Sequence, residues 1–261
     1  MQGPIAQIMA LTIAGNAAIG GRDVSGFWPN ASVFSFTKHC SFVGPSGAVL
    51  EADTNVWLTT TKSQCFGAWL YALPRNNSKM SDRESVGFVG GGPRWIMTTL
   101  EANGTLRWEG RDRVSDKGDP NRKIWTTEYV MLNEPMPELK PSTKTVGEIS
   151  SALGNTLREI ADFAHEINSD FFEGCFRKSS ASLSSDDPLE GLYHADIAAL
   201  GQFPLETARL FSATQHGWVF GGMGSWNDMA PDDPRYAPLS DRLFDQMVEA
   251  ATIIANSTFR A

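Results

Sequence analysis

Arg94-Trp95-Ile96-Met97-Thr98-Thr99-Leu100-Glu101-Ala102-Asn103-Gly104-Thr105-Leu106-Arg107-Trp108 reads as two strands and the turn between them. Asn103-Gly104 supplies the two positive-φ positions of a type I′ turn, so Arg94–Ala102 and Thr105–Val114 are expected to pair antiparallel. Pairing Ala102 with Thr105 places Thr99 opposite Trp108 and Glu101 opposite Leu106. One face then carries Trp95, Met97, Leu106 and Trp108, while the other mixes Ile96 and Leu100 with Arg107, Glu109 and Arg111. The apolar face predicts contact with a core. After the polar loop 115–122, Lys123–Leu132 returns as a third strand alternating Trp125, Thr127, Tyr129 and Met131. Ile5–Ile13, Ser32–Val43 and Gly67–Leu73 are the earlier strand candidates. Six of the eight tryptophans precede residue 130, which predicts an antiparallel, Trp-rich sheet with one face covered.

Downstream the period changes. Val146, Ile149, Leu153, Leu157, Ile160, Ala164 and Ile167 step by three or four residues and form one apolar stripe along a helix. Thr145 and Glu148 supply a capping box at its start. A second long helix is expected from near Pro238 to Asn256, with Leu239, Leu243, Met247, Ala251 and Ile254 on one side. Shorter helices are expected at Asp170–Ser180, Leu192–Leu200 and Pro204–Gln215. Strands followed by helices predict an α+β fold, in which an N-terminal antiparallel Trp-rich sheet packs against C-terminal amphipathic helices. The β-rich half, 1–140, and the helical half, 141–261, meet at Pro135-Met136-Pro137 and Pro141, and are expected to fold together as one domain.

The 261 residues carry 22 basic and 30 acidic side chains, and the net charge of −8 is uneven: +1 over 1–140 and −9 over 141–261. Nucleic-acid affinity comes largely from clustered Lys and Arg, so a phosphate-backbone partner is not expected. No apolar run is long enough to span a bilayer, so no membrane partner is expected. The opening residues lack the basic start of a secretory leader, and the three cysteines are odd in number with no CxxC pair, which points to a reducing, cytoplasmic setting.

Catalytic signatures fail one by one. Gly15–Gly20 has the spacing of a phosphate loop, but Gly21-Arg22 stands where Lys and Ser/Thr are required. Gly87-Phe88-Val89-Gly90-Gly91-Gly92 runs into Pro93 and a strand, so a backbone bend beside the sheet is expected there. Cys40 follows His39, and neighbours in a strand point to opposite faces, which rules against a Cys–His dyad. Asp162 and His165 stand one helical turn apart, but a di-iron bundle uses Glu-x-x-His twice, so a surface contact is expected. No metal and no cofactor are expected.

One segment resists that treatment. His216-Gly217-Trp218-Val219-Phe220-Gly221-Gly222-Met223-Gly224-Ser225-Trp226-Asn227-Asp228 puts two Trp and four Gly into a helical, acidic half. Either Trp218 and Trp226 plug the interface between sheet and helices, or they line a pocket with His216, Asn227 and Asp228 as its polar members. Residues 80–94 are the segment expected to face it. The leading expectation for function is a non-catalytic protein that binds a partner protein or assembles with itself. The alternatives are a hydrolase-type site around His216 and Asp228, with His194 and Asp196 as a second candidate pair, or a small-molecule or sugar-binding module on the Trp-rich sheet, with Trp28, Trp57 and Trp69 as the candidate rings for a sugar or partner surface. An open cavity between sheet and helices would mark the last.

Overall fold

The computed structural model describes residues 3–75, 79–136, 139, 141–229 and 231–259. Met1, Gln2, Pro137 and Lys140, on which parts of the sequence reading rest, lie outside them. In chain order the described residues form α1 (Gly3–Ile19), the short α2 (Phe27–Asn30), β1 (Thr37–Val43), β2 (Val49–Glu51), α3 (Thr54–Gln64), β3 (Cys65–Leu73) and the one-turn α4 (Asp82–Ser85). Then come β4 (Arg94–Glu101), β5 (Gly104–Val114), β6 (Trp125–Met131), α5 (Val146–Glu166), α6 (Asp170–Ser182), α7 (Ala195–Gly201), α8 (Leu205–Gly217) and α9 (Tyr236–Asn256). The fold is α+β, with six strands in the order β2-β1-β6-β5-β4-β3.

Two expectations about the sheet are corrected. It is mixed: β1 lies parallel to β6, with Cys40 beside Thr127 and Phe42 beside Tyr129. Alternation within one strand specifies its buried face but not the direction of a neighbour distant in the chain. The second correction concerns Ile5–Ile13, which is the body of α1 rather than a strand, so helices do not wait for the second half. Every residue from Ile5 to Ala18 is buried. A helix enclosed on all sides shows no apolar stripe, and periodicity cannot separate it from a buried strand. Its polar residues are tied down. Asn16 accepts from the Ala68 N–H at 2.8 Å and donates to the Ala68 carbonyl at 2.9 Å. Thr12 donates to the Ile8 carbonyl at 2.9 Å, and Gln7 donates to the Val33 carbonyl at 3.0 Å. α1 thereby becomes a pillar that packs on β3, α3, α7 and α9.

The hairpin turns one step earlier than expected. Glu101 pairs with Gly104 around Ala102-Asn103, and Met97, not Thr99, faces Trp108. Gly104 takes positive φ, at 138°, and Asn103 does not, so the turn is not type I′. The partner shifts by two residues, and a shift by two leaves every side chain on its face. Met97 and Trp108 are buried in the core, with Trp95 and Leu106 packed against it.

The helical half follows its pattern closely. The Thr145–Glu148 capping box is present, and Ile149, Leu153, Leu157, Ile160 and Ala164 are buried along α5. Leu239, Leu243, Met247, Ala251 and Ile254 are buried along α9, which packs on α5, α8, α1 and β3. One contiguous apolar cluster runs from Ile5 on α1 through Trp108 and Tyr129 on the sheet to Ile254 on α9. No helix among the described residues is long and apolar enough to cross a membrane.

Candidate functional site

Beside the first turns of α1 the described residues leave part of the sheet uncovered. A cavity of about 930 Å³ opens there between the first turns of α1, the core face of β5 and β6, and residues 86–91, a size ordinary for small-molecule sites. Gly110, Asp112, Thr127 and Tyr129 form its floor, with Trp95 and Trp125 among its walls. The register explains the floor. Gly110 pairs with Tyr129 and Asp112 with Thr127, and a Cβ at Gly110 would stand 3.2 Å from the Tyr129 ring. The missing side chain is part of the space.

A chain of polar groups runs through the floor. Thr127 Oγ1 lies 2.6 Å from Asp112 Oδ1 and 3.1 Å from Gln7 Oε1. Burial pushes the Asp112 carboxyl upward from its ordinary range, with the Thr127 hydrogen bond pulling the other way. Burial also raises the Tyr129 phenol well above its ordinary value and the Cys40 thiol to about 12. All three favour their neutral forms. At the mouth the charges are satisfied among themselves. Arg94 makes a two-point contact with Glu109 at 2.9 and 2.8 Å and reaches Glu134 at 2.7 Å. Arg75 donates to the Gly92 carbonyl and lies 3.7 Å from Glu109.

Residues 86–91 form the remaining wall, and their setting joins the two glycine-rich segments. A Cβ on Gly87 would fall 2.1 Å from the Gly221 carbonyl oxygen, and one on Gly91 would fall 1.8 Å from the Ser85 carbonyl oxygen. Both positions exclude any side chain by backbone approach. Arg83, immediately before this wall, is buried. It donates to Asn227 Oδ1 at 3.0 Å and to Asp241 Oδ1 at 2.5 Å, while Asn227 Nδ2 donates back to the Arg83 carbonyl at 2.8 Å. Residues 80–94 therefore do face the segment 216–228, and Asn227 anchors the cavity wall without lining the cavity.

The other residues singled out in that segment are placed as follows. Trp226 is fully buried, ringed by Phe163, Phe172, Phe176 and Tyr236, and its indole N–H donates to Ser240 at 2.7 Å. Trp218 is buried against Phe220 and Phe244. Asp228 is exposed and accepts the Gly224 and Ser225 N–H groups at 2.6 and 3.2 Å. His216 is half-buried, with its pKa lowered by burial. None of the five lines the cavity.

His194 and Asp196 do come together, on Ser32. Its Oγ lies 2.7 Å from His194 Nδ1 and 2.6 Å from Asp196 Oδ1, and its N–H donates to Asp196 Oδ2 at 2.8 Å. The hydroxyl sits between base and carboxylate, whereas in a Ser-His-Asp triad the imidazole stands in the middle. The geometry is that of a clamp holding the start of α7 to residues 32–34. His165 contacts Glu173 at 3.0 Å rather than Asp162, which pairs with Arg177. Among the described residues no group of three or more His, Cys, Asp and Glu is arranged to hold a metal.

Gln7, Asp112, Thr127 and Tyr129 were not among the candidate site residues read from sequence, although Thr127 and Tyr129 stand in the same alternation as Trp125. A signal existed for Asp112 as well. Continuing the period of Leu106 and Trp108 through Gly110 reaches Asp112, a carboxyl on the face expected to be covered. No protein-family model matches the chain, and no curated protein or solved structure matches it.

Proposed function

We propose that the chain is a binding module for a small molecule held between the Trp-bearing face of the sheet and the start of α1. The observation that carries this is an open cavity on the covered face, where apolar rings surround a few convergent polar groups. Trp95 and Trp125 offer flat surfaces to an apolar or sugar face, and the Asp112–Thr127–Gln7 chain offers directional hydrogen bonds. No reaction is part of the proposal.

Binding of the uncharged dye N-phenylnaphthylamine, followed by fluorescence, tests it. Trp125→Ala removes a wall and Gly110→Leu fills the floor, and each is expected to weaken dye binding by about tenfold or more, equivalent to roughly 1.4 kcal/mol. Circular dichroism melts establish that the variants fold. Folded variants that bind the dye as well as the parent would sink the proposal.

A protein partner or self-assembly is a second reading. It is favoured by Phe88 and Val89, which lie 65% and 71% exposed, and by the fully exposed Met223 on the segment that abuts their loop. Light scattering behind size exclusion tests self-assembly: a strict monomer at all concentrations removes it.

A further inference from the structure

Thr127 stands between two acceptors and has one proton to give. The neighbouring residue fixes that both of them are acceptors. Gln7 Nε2 lies 3.0 Å from the Val33 carbonyl oxygen and 2.7 Å from Thr37 Oγ1. A carbonyl only accepts, so the amide NH₂ must point there, and the amide oxygen must face Thr127. That oxygen, 3.1 Å from Thr127 Oγ1, and Asp112 Oδ1, 2.6 Å from it, share one hydroxyl proton between them. Both contacts carry a hydrogen only when the carboxyl brings the second one. We propose that Asp112 is carried as a neutral carboxylic acid donating from Oδ1 to Thr127, and that the cavity consequently selects an uncharged ligand that offers a hydroxyl or N–H to Oδ2.

The surroundings agree. Oδ2 has no hydrogen-bond partner among the described residues, and Asp112 lines the cavity. From β1 the titratable group near the carboxyl is the Cys40 thiol and from β6 the Tyr129 phenol, both held neutral by burial. α1 contributes Gln7 and no charge. Arg111 and Arg113 flank Asp112 on β5, where alternation directs both toward the opposite face; Arg113 pairs with Glu128 there, while Arg111 is also among the residues that line the cavity. At the mouth Arg75 and Arg94 are occupied by Glu109 and Glu134. Burial of Asp112 works in the same direction as the proton count.

The selection matters because rings around a carboxylate would otherwise read as a cage for an organic cation. A carboxylic acid removes the charge that such a cage needs. This inference rests on the cavity being the ligand site, and the test separates the two. Carboxyl carbon resonances of aspartate-labelled protein, assigned through the backbone, report protonation without any ligand. Asp112 is expected to keep its protonated shift at a pH where the surface aspartates have ionised. Titration together with them overturns the neutral acid.

Amide shift changes on adding benzyl alcohol or benzylammonium report the ligand class. The alcohol is expected to perturb Trp95 and Trp125 in both the parent and Asp112→Asn, whose amide can donate to Thr127 as the acid does, with the ammonium about tenfold weaker or worse. Tighter ammonium binding that Asp112→Asn abolishes overturns the selection. Silence from both probes beside a protonated Asp112 overturns the small-molecule reading, and the selection with it, while leaving the acid neutral.

Discussion

Trp95 and Trp125 on the sheet and Trp218 and Trp226 beyond α8 are the same residue in opposite circumstances. The first pair is half-buried at the wall of a cavity, while the second is buried among Phe and Tyr rings. The denser cluster of Trp and Gly in the sequence is the closed one. An aromatic-rich stretch reports how much ring surface must be covered. What covers it, another side chain or a ligand, depends on what the fold places opposite. Among the described residues, Gly110 places no side chain over the sheet rings beside the cavity, whereas three helices converge on Trp226.

The comparison is easiest to break at its closed end. Trp226→Ala is expected to cost about 3–5 kcal/mol, because the surrounding rings cannot collapse into the space and Ser240 loses its partner. Trp218→Ala belongs in the same range, but Trp218→Phe should cost distinctly less. Its indole N–H is buried with no hydrogen-bond partner among the described residues, so removing it forfeits no bond. Urea unfolding measures both, and a Trp226→Ala protein as stable as the parent would erase the distinction between the two pairs.

The joint between the two regions comes next. Asn227→Ala strips two hydrogen bonds from the buried Arg83 and is expected to cost about 1–3 kcal/mol. Gly87→Ala forces a Cβ onto the Gly221 carbonyl and should cost a similar amount, roughly 1–3 kcal/mol, by parting the two loops. Both should also weaken dye binding, since the wall formed by 86–91 is displaced. Lost stability with unchanged dye affinity would show that the wall does not depend on this anchor. At the open end, Trp125→Ala should cost less than about 1.5 kcal/mol, as a half-buried ring forfeits only part of its transfer energy. Its larger effect should fall on the dye.

The smallest effect is one of pH. Burial lowers His194 from its ordinary 6.5 to about 4, against the pull of Asp196. The unfolded chain takes up this proton first. The contribution of His194 is therefore complete above the ordinary value and is lost as pH falls toward about 4. His194→Gln should flatten that acid limb in urea melts repeated across pH. An unchanged limb would assign it to other groups.

Much of the fold was legible because local periodicity encodes which side of an element meets an apolar medium. The stripes of α5 and α9, the capping box at Thr145 and the core face of the β4–β5 hairpin all follow from spacing alone. The face survived even an error in the turn, because a slip of two residues preserves parity. α1 was illegible for the opposite reason. Surrounded on every side, it has no pattern to display, and its helical hydrogen bonds leave no trace in hydropathy. The site was legible only in part: Trp95 and Trp125 were marked as face residues, but the Gln7–Thr127–Asp112 chain joins residues 120 apart in sequence.

By itself the sequence determined the element types of the second half, the hairpin and the side that each strand turns inward. Only the tertiary structure decided that β1 runs parallel to β6, that α1 fills the centre, and that space remains beside Asp112. The reason is physical. Burial of a side chain is written in its own neighbourhood along the chain, whereas a cavity is defined by what distant segments fail to fill.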